Sequence, residues 1–429
     1  MPRLPDPRFS PDCTIVVDGR AIPARAGEPI TTALLSAGRP LLARSHKYHR
    51  PRGPFCLAGS CHACLVRVGG QPNLRACRTP CAEGLVVETQ HALPTAAHDL
   101  LGLIDLATPD GLDHHHLGTS SVALNRAVVA FSRRLAGLGR LSDAAPPSPA
   151  TPREEPFDAL VIGAGPAGLA AAEALAEAGR RVLLADAESR PGGRLRCLYR
   201  LPGEPPLALS SQIEPKLGAA GGELALDAPV LGLWLDGGSV VALLHQRGAP
   251  DRLRLVRPSR VLLCAGGTAV PAGIEDGDRP GVLWGRGLAV ALAEHGTVPG
   301  RRVAVLGSGG EAEALGERLA GAGMSVVLLE RAARVLGRAR VRALADGRGG
   351  EVPCDTVAVV QPPAPATDLA RLLGAPVAFD ASAQAFAVLA DRQGRTAVPG
   401  LFAAGEVTGA LDGAGAAEAG RRAGEAARG

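Results

Sequence analysis

Four cysteines, Cys56, Cys61, Cys64 and Cys77, stand in the pattern C-x4-C-x2-C-x12-C. Thiolates are soft ligands that suit zinc and iron–sulfur clusters. Two irons need four thiolates, and one tight loop can present three of them to a small cluster. The first three cysteines have the plant-type [2Fe–2S] spacing. The fourth follows a hairpin, "LVRVGGQPNLRAC", with Gly69-Gly70 at its turn. Gly59, Ser60 and Ala63 leave room and offer backbone N–H groups to the sulfurs, which tunes potential. A zinc site more usually shows two C-x2-C pairs, and this stretch has one. The pattern favours a [2Fe–2S] cluster, with zinc or inert thiols as the alternatives. Cys81 is a spare thiol, and His62 is either a tuning group beside the cluster or a solvated loop residue.

Two glycine turns could hold phosphates. In "ALVIGAGPAGLAAAEALAEAG", Gly163, Gly165 and Gly168 match G-x-G-x-x-G, with Pro166 and Ala167 between the last two. The first glycine permits a tight turn after a strand. The second lets the backbone approach a pyrophosphate, and the third lets the helix pack close. The helix N-terminus then meets the phosphates with free N–H groups. Asp186 ends the next strand, where a carboxylate accepts from ribose hydroxyls. The second turn has Gly307, Gly309 and Ala312, with Glu330 at the corresponding strand end. An acid there favours NAD(H) over NADP(H), although Arg331 follows and could contact a 2′-phosphate. NAD, ATP or nothing could occupy this second site.

"RPGGRLR", with Gly193 and Arg194, follows Asp186, and "GLFAAGEVTG", with Gly405 and Glu406, lies near residue 405. On these features the chain resembles the flavoproteins with two dinucleotide domains, which include disulfide reductases and ferredoxin reductases. The resemblance implies FAD on the first turn and places Glu406 at the flavin's ribityl and pyrophosphate region. The strand "VLLCAGG" would precede the domain crossover, and the helix "GAAEAGRRAGEAA" would face the flavin ring. That family often passes electrons to a protein dithiol. Here Cys197, Cys264 and Cys354 are isolated in sequence and read as small buried hydrophobes. No convincing general base stands out, so the catalytic residues are unknown.

With "SHKYHRPRGPFC", the cluster loop and "RRLAGLGRL" before a flavoprotein domain, the resemblance narrows. The chain is similar to subunits of hydrogen cyanide synthase, opine oxidase and hydroxyproline dehydrogenase, and to the N-terminal part of the sarcosine oxidase alpha subunit. The likeness covers the whole chain, most specifically 45–81 and 157–196. It implies an FAD- and [2Fe–2S]-containing electron-transfer subunit of a multi-subunit amine or amino-acid dehydrogenase or oxidase. The implied partner is an amino-acid-oxidase-like flavoprotein subunit that acts on the small molecule. Neither the folate region of the sarcosine oxidase subunit nor a second cysteine-rich domain is expected within these 429 residues, which leaves the electron route open. The rival readings are a self-contained NAD(P)H:acceptor oxidoreductase and a non-catalytic nucleotide-binding scaffold.

The elements that must position these residues follow from the pattern. Residues 1–90 read as a small β-grasp, ferredoxin-like domain: a strand, a turn at Asp18-Gly19, a second strand, a short helix ended by Gly38, the cysteine stretch and a closing strand. Residues 91–156 read as a connecting helix and a Pro-rich linker. From Phe157, strands alternate with helices, which predicts α/β architecture with parallel sheets. An FAD domain of 157–265 and 385–429 is expected, with a second Rossmann-like, NAD-type domain of 266–384 nested within it.

Composition sets the limits. The net charge of +4 and 3% aromatic content give no footing for nucleic acid. Only Lys47 and Lys216 are lysine, so arginine reflects a compositional bias. The N-terminus lacks an apolar signal region, no transmembrane segment is expected, and a reducing cytoplasm suits the thiols. The His tract at 114–116 lacks the spaced partners of a metal site.

Overall fold

The computed structural model describes all residues except 1–2, 46–48, 104–118, 136–150, 198–207, 249–251, 347 and 410. The His tract, Lys47 and most of the Pro-rich linker lie outside the described residues. Two compact units form: Met1–Pro146 with Pro271–Val360, and Pro147–Val270 with Gln361–Gly429.

The first unit begins with the β-grasp module. Strands β1 (Cys13–Val17) and β2 (Arg20–Ala24) form a hairpin whose turn residues, Asp18 and Gly19, both have positive φ. Alternate residues of β1 are buried, as a half-covered strand requires. Helix α1 (Ile30–Ser36) is buried at every position, its polar Thr31, Thr32 and Ser36 included. Gly38 in the left-handed region ends it, donating to the Leu35 carbonyl. Strands β3 (Leu65–Val68) and β4 (Gln71–Arg75) turn at Gly69-Gly70, again with positive φ at both, and β5 (Val86–Glu88) closes the sheet. The order is β2-β1-β5-β3-β4, with β1 and β5 parallel. Ile15, Ile30, Leu34, Val66 and Val87 make its core.

The dinucleotide folds follow. The second unit opens with β6 (Ala159–Ile162), α2 (Pro166–Glu177), β7 (Val182–Ala185), β8 (Glu223–Ala225) and β9 (Arg260–Leu263). The chain then adds to the first unit β10 (Val282–Trp284), α3 (Gly285–His295), β11 (Arg302–Leu306), α4 (Gly310–Gly321), β12 (Ser325–Leu329) and β13 (Thr356–Val359). It returns to the second unit with β14 (Leu401–Ala403) and α5 (Gly413–Ala426). The second unit's parallel sheet runs β8-β7-β6-β9-β14, and the first unit's runs β10-β13-β11-β12. Strands β6 and β7 are buried at every position, the signature of a sheet covered on both faces.

Residues 361–384, which the sequence pattern assigns to the second dinucleotide domain, pack in the unit that holds the first glycine turn. Ala364–Pro365 pairs with Gly267–Thr268, and Ala370 and Leu373 join the core of Leu160 and Leu183. Among the described residues no helix is long and apolar enough to cross a membrane.

Candidate functional site

The cluster loop leaves β-structure after Arg52 and regains it at Leu65. Leu57 and Gly59 adopt positive φ, which curls the chain around the sulfurs. Cys56, Cys64 and Cys77 are buried, while Cys61 is half-buried. The backbone N–H groups of Ala58 and Cys61 both donate to Cys56 Sγ at 3.4 Å. The thiols of Cys61 and Cys77 also lie against Cys56, and Cys77 lies against Cys64. Contact with Cys61, then Cys77, holds the Cys56 thiol far below its usual range, and contact with Cys77 holds Cys64 low. Cys61 and Cys77 are pushed the other way, first by their contacts with Cys56. Four thiols so placed cannot all ionise without a cationic partner.

Among the described residues no three His, Cys, Asp or Glu side chains converge on a single ion position. The sulfurs meet in a row instead, Cys61 with Cys56, Cys56 with Cys77 and Cys77 with Cys64. A lone tetrahedral zinc needs four donors about one point. A two-iron cluster takes four thiolates spread over two metal centres. Cys81 belongs elsewhere: it lies in the module's core, its backbone bonded to Gly27 and Glu28, and burial pushes its thiol up to about 12. His62 is exposed at the loop's rim.

The loop rests on α3 of the same unit. Trp284 N–H donates to the Phe55 carbonyl at 2.9 Å. A Cβ at Gly287 would lie 2.1 Å from the Cys56 carbonyl oxygen, so only glycine lets the helix accept the loop. Arg50 and Arg52 pair with Asp276 and Asp278 beside it. Sequence reasoning did not single out Gly287; its only local signal is the Gly-Arg-Gly that opens α3.

In the second unit the first glycine turn is assembled as the motif requires. Gly163 has φ +103°, and a Cβ there would lie 2.3 Å from the Cys264 carbonyl oxygen. A Cβ at Gly168 would lie 1.7 Å from the Gly163 carbonyl oxygen. A Cβ at Gly165 would meet no atom within 4 Å, so the space over it is open to a pyrophosphate. Pro166 opens α2, no side chain caps it, and its first turn holds no acid. Its N–H groups therefore face an anion site. Asp186 bonds the N–H of Ala164 at 2.6 Å and that of Glu188 at 2.7 Å, so it braces the turn as well as marking the strand end. Burial pushes its carboxyl up despite those two donors.

The loop carrying Gly193 wraps this turn: Gly192 N–H donates to the Ala164 carbonyl at 2.7 Å. Arg194 pairs with Glu406 at 3.2 Å, both nearly buried, and also donates to the Leu411 carbonyl. Gly405, with φ +82°, sits where a Cβ would press on Ala167 at 2.8 Å. Helix α5 packs on α2 through Gly420 and Gly424, whose added Cβ atoms would lie 2.0 Å and 2.6 Å from the carbonyls of Ala167 and Ala171. These two glycines, four apart, were legible only as a small-x-x-x-small spacing. Gly163, Gly165, Pro166, Ala167, Gly168, Asp186, Gly193, Arg194, Gly405 and Glu406 are thus brought together around the first glycine turn. Cys197 and Cys264 are buried, and burial pushes the Cys264 thiol up to about 12. Neither is a ready nucleophile.

The second turn differs. Gly307 and Gly309 have positive φ, Ala312 is buried, and Glu330 is exposed at the end of β12. Here the first turn of α4 carries Glu311 and Glu313. Glu311 takes the place that Ala167 has in the first turn. Its carboxylate is held by Arg286 through two bonds of 2.6 and 3.0 Å. A cavity of about 600 Å³, lined by Arg302, Arg338, Arg340, Arg342 and Asp355, lies at the opposite, amino end of this sheet and includes none of these groups.

Two family models match the chain: the 2Fe-2S iron-sulfur cluster binding domain over residues 10–92, and pyridine nucleotide-disulphide oxidoreductase over 157–346. The chain is 31% identical to sarcosine oxidase subunit alpha of Rhizobium meliloti, over 73% of this chain and 33% of that protein. It is 40% identical to hydrogen cyanide synthase subunit HcnA of Pseudomonas aeruginosa, over 18% of this chain and 75% of that protein. The chain thus spans about a third of the sarcosine oxidase subunit it matches. The crystal structure of L-proline dehydrogenase from P. horikoshii superimposes with a TM-score of 0.71 at 20% identity, covering 95% of this chain and 71% of that one, which shows a shared fold. Thiol geometry and glycine cradle agree with these matches: the residues present suit a [2Fe–2S] cluster and FAD.

Proposed function

We propose, for a chain that belongs to the iron–sulfur flavoprotein family of hydrogen cyanide synthase subunit HcnA and sarcosine oxidase subunit alpha, that it is the electron-transfer subunit of a multi-subunit amine or amino-acid dehydrogenase or oxidase. Its partner is an amino-acid-oxidase-like flavoprotein subunit that oxidises the small molecule. FAD supplies two-electron redox chemistry and the [2Fe–2S] cluster one-electron transfer. Cys56, Cys61, Cys64 and Cys77 hold the cluster. Gly163, Gly165 and Gly168 shape the FAD cradle, α2 offers its N–H groups to the pyrophosphate, and Asp186 accepts from the ribose. Arg194 holds Glu406 at the far end of that cradle and fixes the carboxylate's orientation.

The observation that carries this reading is the gathering of four thiols, three from one loop and Cys77 from beyond the β3–β4 hairpin, on a chain whose flavin cradle shows no reactive dithiol among the described residues. Electrons then have the cluster as their outlet or inlet. A chain of nine cysteines, most of them buried, suits a reducing cytoplasm. The test is an anaerobic absorbance spectrum and low-temperature EPR after dithionite. A flavin band with a rhombic cluster signal is expected; a flavin band without that signal would sink the reading.

A further inference from the structure

The strands β10 and β11 are parallel in one sheet, so α3 and α4 start at the same, carboxyl edge. Dinucleotides bind at that edge in open α/β sheets. In this protein the cluster loop occupies it too: Phe55 and Cys56 lie on the first turn of α3. Arg286, one residue before the Gly287 that touches Cys56, reaches across and grips Glu311 on α4 through Nε and Nη2. It is 9% exposed and lies over the Trp284 ring, 5.9 Å from its centre. The cluster loop and the second phosphate turn are thus one side-chain pair apart.

The charges make this junction consequential. A pyrophosphate arriving at Gly307–Ala312 meets the Glu311 carboxylate, where the first turn offers only Ala167. Binding requires the Arg286 guanidinium to be shared with the phosphates or surrendered to them. Both changes leave the residue beside the cluster loop in a more negative field. Reduction of a cluster held by Cys56 would add a further negative charge to the loop that Gly287 touches.

We propose that Arg286 is a positioning residue that couples the second dinucleotide turn to the cluster, so that an anionic dinucleotide bound there lowers the cluster's reduction potential. Reciprocity then requires that cluster reduction weaken nucleotide binding by the same factor. The inference rests on the cluster reading above and on no activity of the second nucleotide as a reductant.

The test uses the full chain with FAD and cluster loaded, and ADP-ribose as a redox-inactive probe. EPR-monitored redox titration is run with and without saturating ADP-ribose, and its affinity is measured by calorimetry on the oxidised and the reduced protein. A roughly tenfold weaker affinity for the reduced protein is expected, which for a one-electron couple is a fall of about 59 mV. Arg286→Gln with Glu311→Gln removes the pair without leaving a lone carboxylate. This double variant should bind ADP-ribose yet lose most of the shift, while Arg286→Lys should keep part of it. Bound ADP-ribose with an unchanged potential overturns the proposal, as does a full shift in the double variant or no binding to either redox form. A missing EPR signal after dithionite is a different failure: it removes the electron-transfer reading itself and the coupling with it.

Discussion

Gly287→Ala tests whether the cluster is held by its dock as well as by its ligands. By helix propensity alone this change should stabilise, since glycine inside a helix costs about 1 kcal/mol relative to alanine. The new Cβ, however, would stand 2.1 Å from the Cys56 carbonyl oxygen and 3.0 Å from Leu57 Cβ, where ordinary contact begins near 3.4 Å. The loop must withdraw by roughly 1.3 Å, and the obstacle is backbone that cannot rotate away. Overpacking of this kind costs about 1–3 kcal/mol. Loss of the Trp284–Phe55 hydrogen bond adds about 1 kcal/mol. The propensity gain offsets about 1 kcal/mol of this, which leaves a net loss of about 1–3 kcal/mol, or fivefold to a hundredfold and more in retention. The assay is the rate at which an iron chelator bleaches the cluster, with flavin absorbance as the internal reference. Gly321→Ala, in open space at the end of α4, is the control and should leave the rate unchanged. A Gly287→Ala protein that loses iron no faster than wild type, and melts higher, would refute the docking argument.

Other outcomes follow from the same geometry. Cys61→Ser and Cys77→Ser should each abolish the rhombic EPR signal, while Cys81→Ala should keep it; loss of signal in all three would mean that ligands and core had been misjudged. Gly168→Ala places a Cβ 1.7 Å from the Gly163 carbonyl oxygen and should give protein without flavin, read as the loss of its visible band. Glu406→Met leaves the nearly buried Arg194 without its carboxylate. It should lower the flavin-to-protein ratio more than Glu406→Gln, which still accepts a hydrogen bond. The thiols of Cys81 and Cys264 stay protonated in the fold up to about 12, whereas an unfolded cysteine ionises near 8.5. The fold therefore binds more protons than the unfolded chain between those values, and stability should fall as pH rises from about 8.5 to 12. Denaturant midpoints across that range check the sign, and rising midpoints would contradict it.

The parts of the structure written in local spacing were legible in advance. Asp18-Gly19 and Gly69-Gly70 name their own turns because each residue must take positive φ, and the C-x4-C-x2-C run marks its loop. Gly163 takes positive φ, the space over Gly165 is open, and Gly168 lies tight against the Gly163 carbonyl. What was not legible depends on residues far apart in the chain. Nothing near Gly287 announces that Cys56, over two hundred positions away, needs its missing side chain. The same holds for Gly420 and Gly424, whose role is set by the carbonyls of Ala167 and Ala171. Residues 361–384 were assigned by neighbourhood in sequence, yet Ala370 and Leu373 are apolar enough to be drawn into the other core. Glu311 reads as an ordinary first-turn acid favoured by the helix dipole; only its Arg286 partner shows that the charge is already engaged.

The cluster module's attachment is itself informative about how an electron carrier is kept in register. Within the first unit the module is joined to the second dinucleotide fold by contacts that leave little rotational freedom. Phe9 fills the space above Gly296, where a Cβ would lie 2.3 Å from the ring. Gly53 lies against Pro280, and Arg3 reaches both Glu28 and the His295 carbonyl. These join Gly287 under Cys56 and the Arg50 and Arg52 pairs with Asp276 and Asp278. The exposed ion pairs among them contribute about 1 kcal/mol or less each and loosen with salt. The glycine contacts do not loosen with salt, because steric fit is not screened. The two kinds of contact also sit at different distances from the sulfurs: Gly287 touches the backbone of a ligand, while Phe9 and Arg3 act at the far end of α3. A change at the far end can therefore weaken the attachment and leave the cluster's own environment intact, whereas a change at Gly287 acts on both. The module should accordingly tolerate high salt with its cluster potential unmoved, and a potential that drifts with ionic strength would show that charge pairs, and not backbone fit, set the position of the loop.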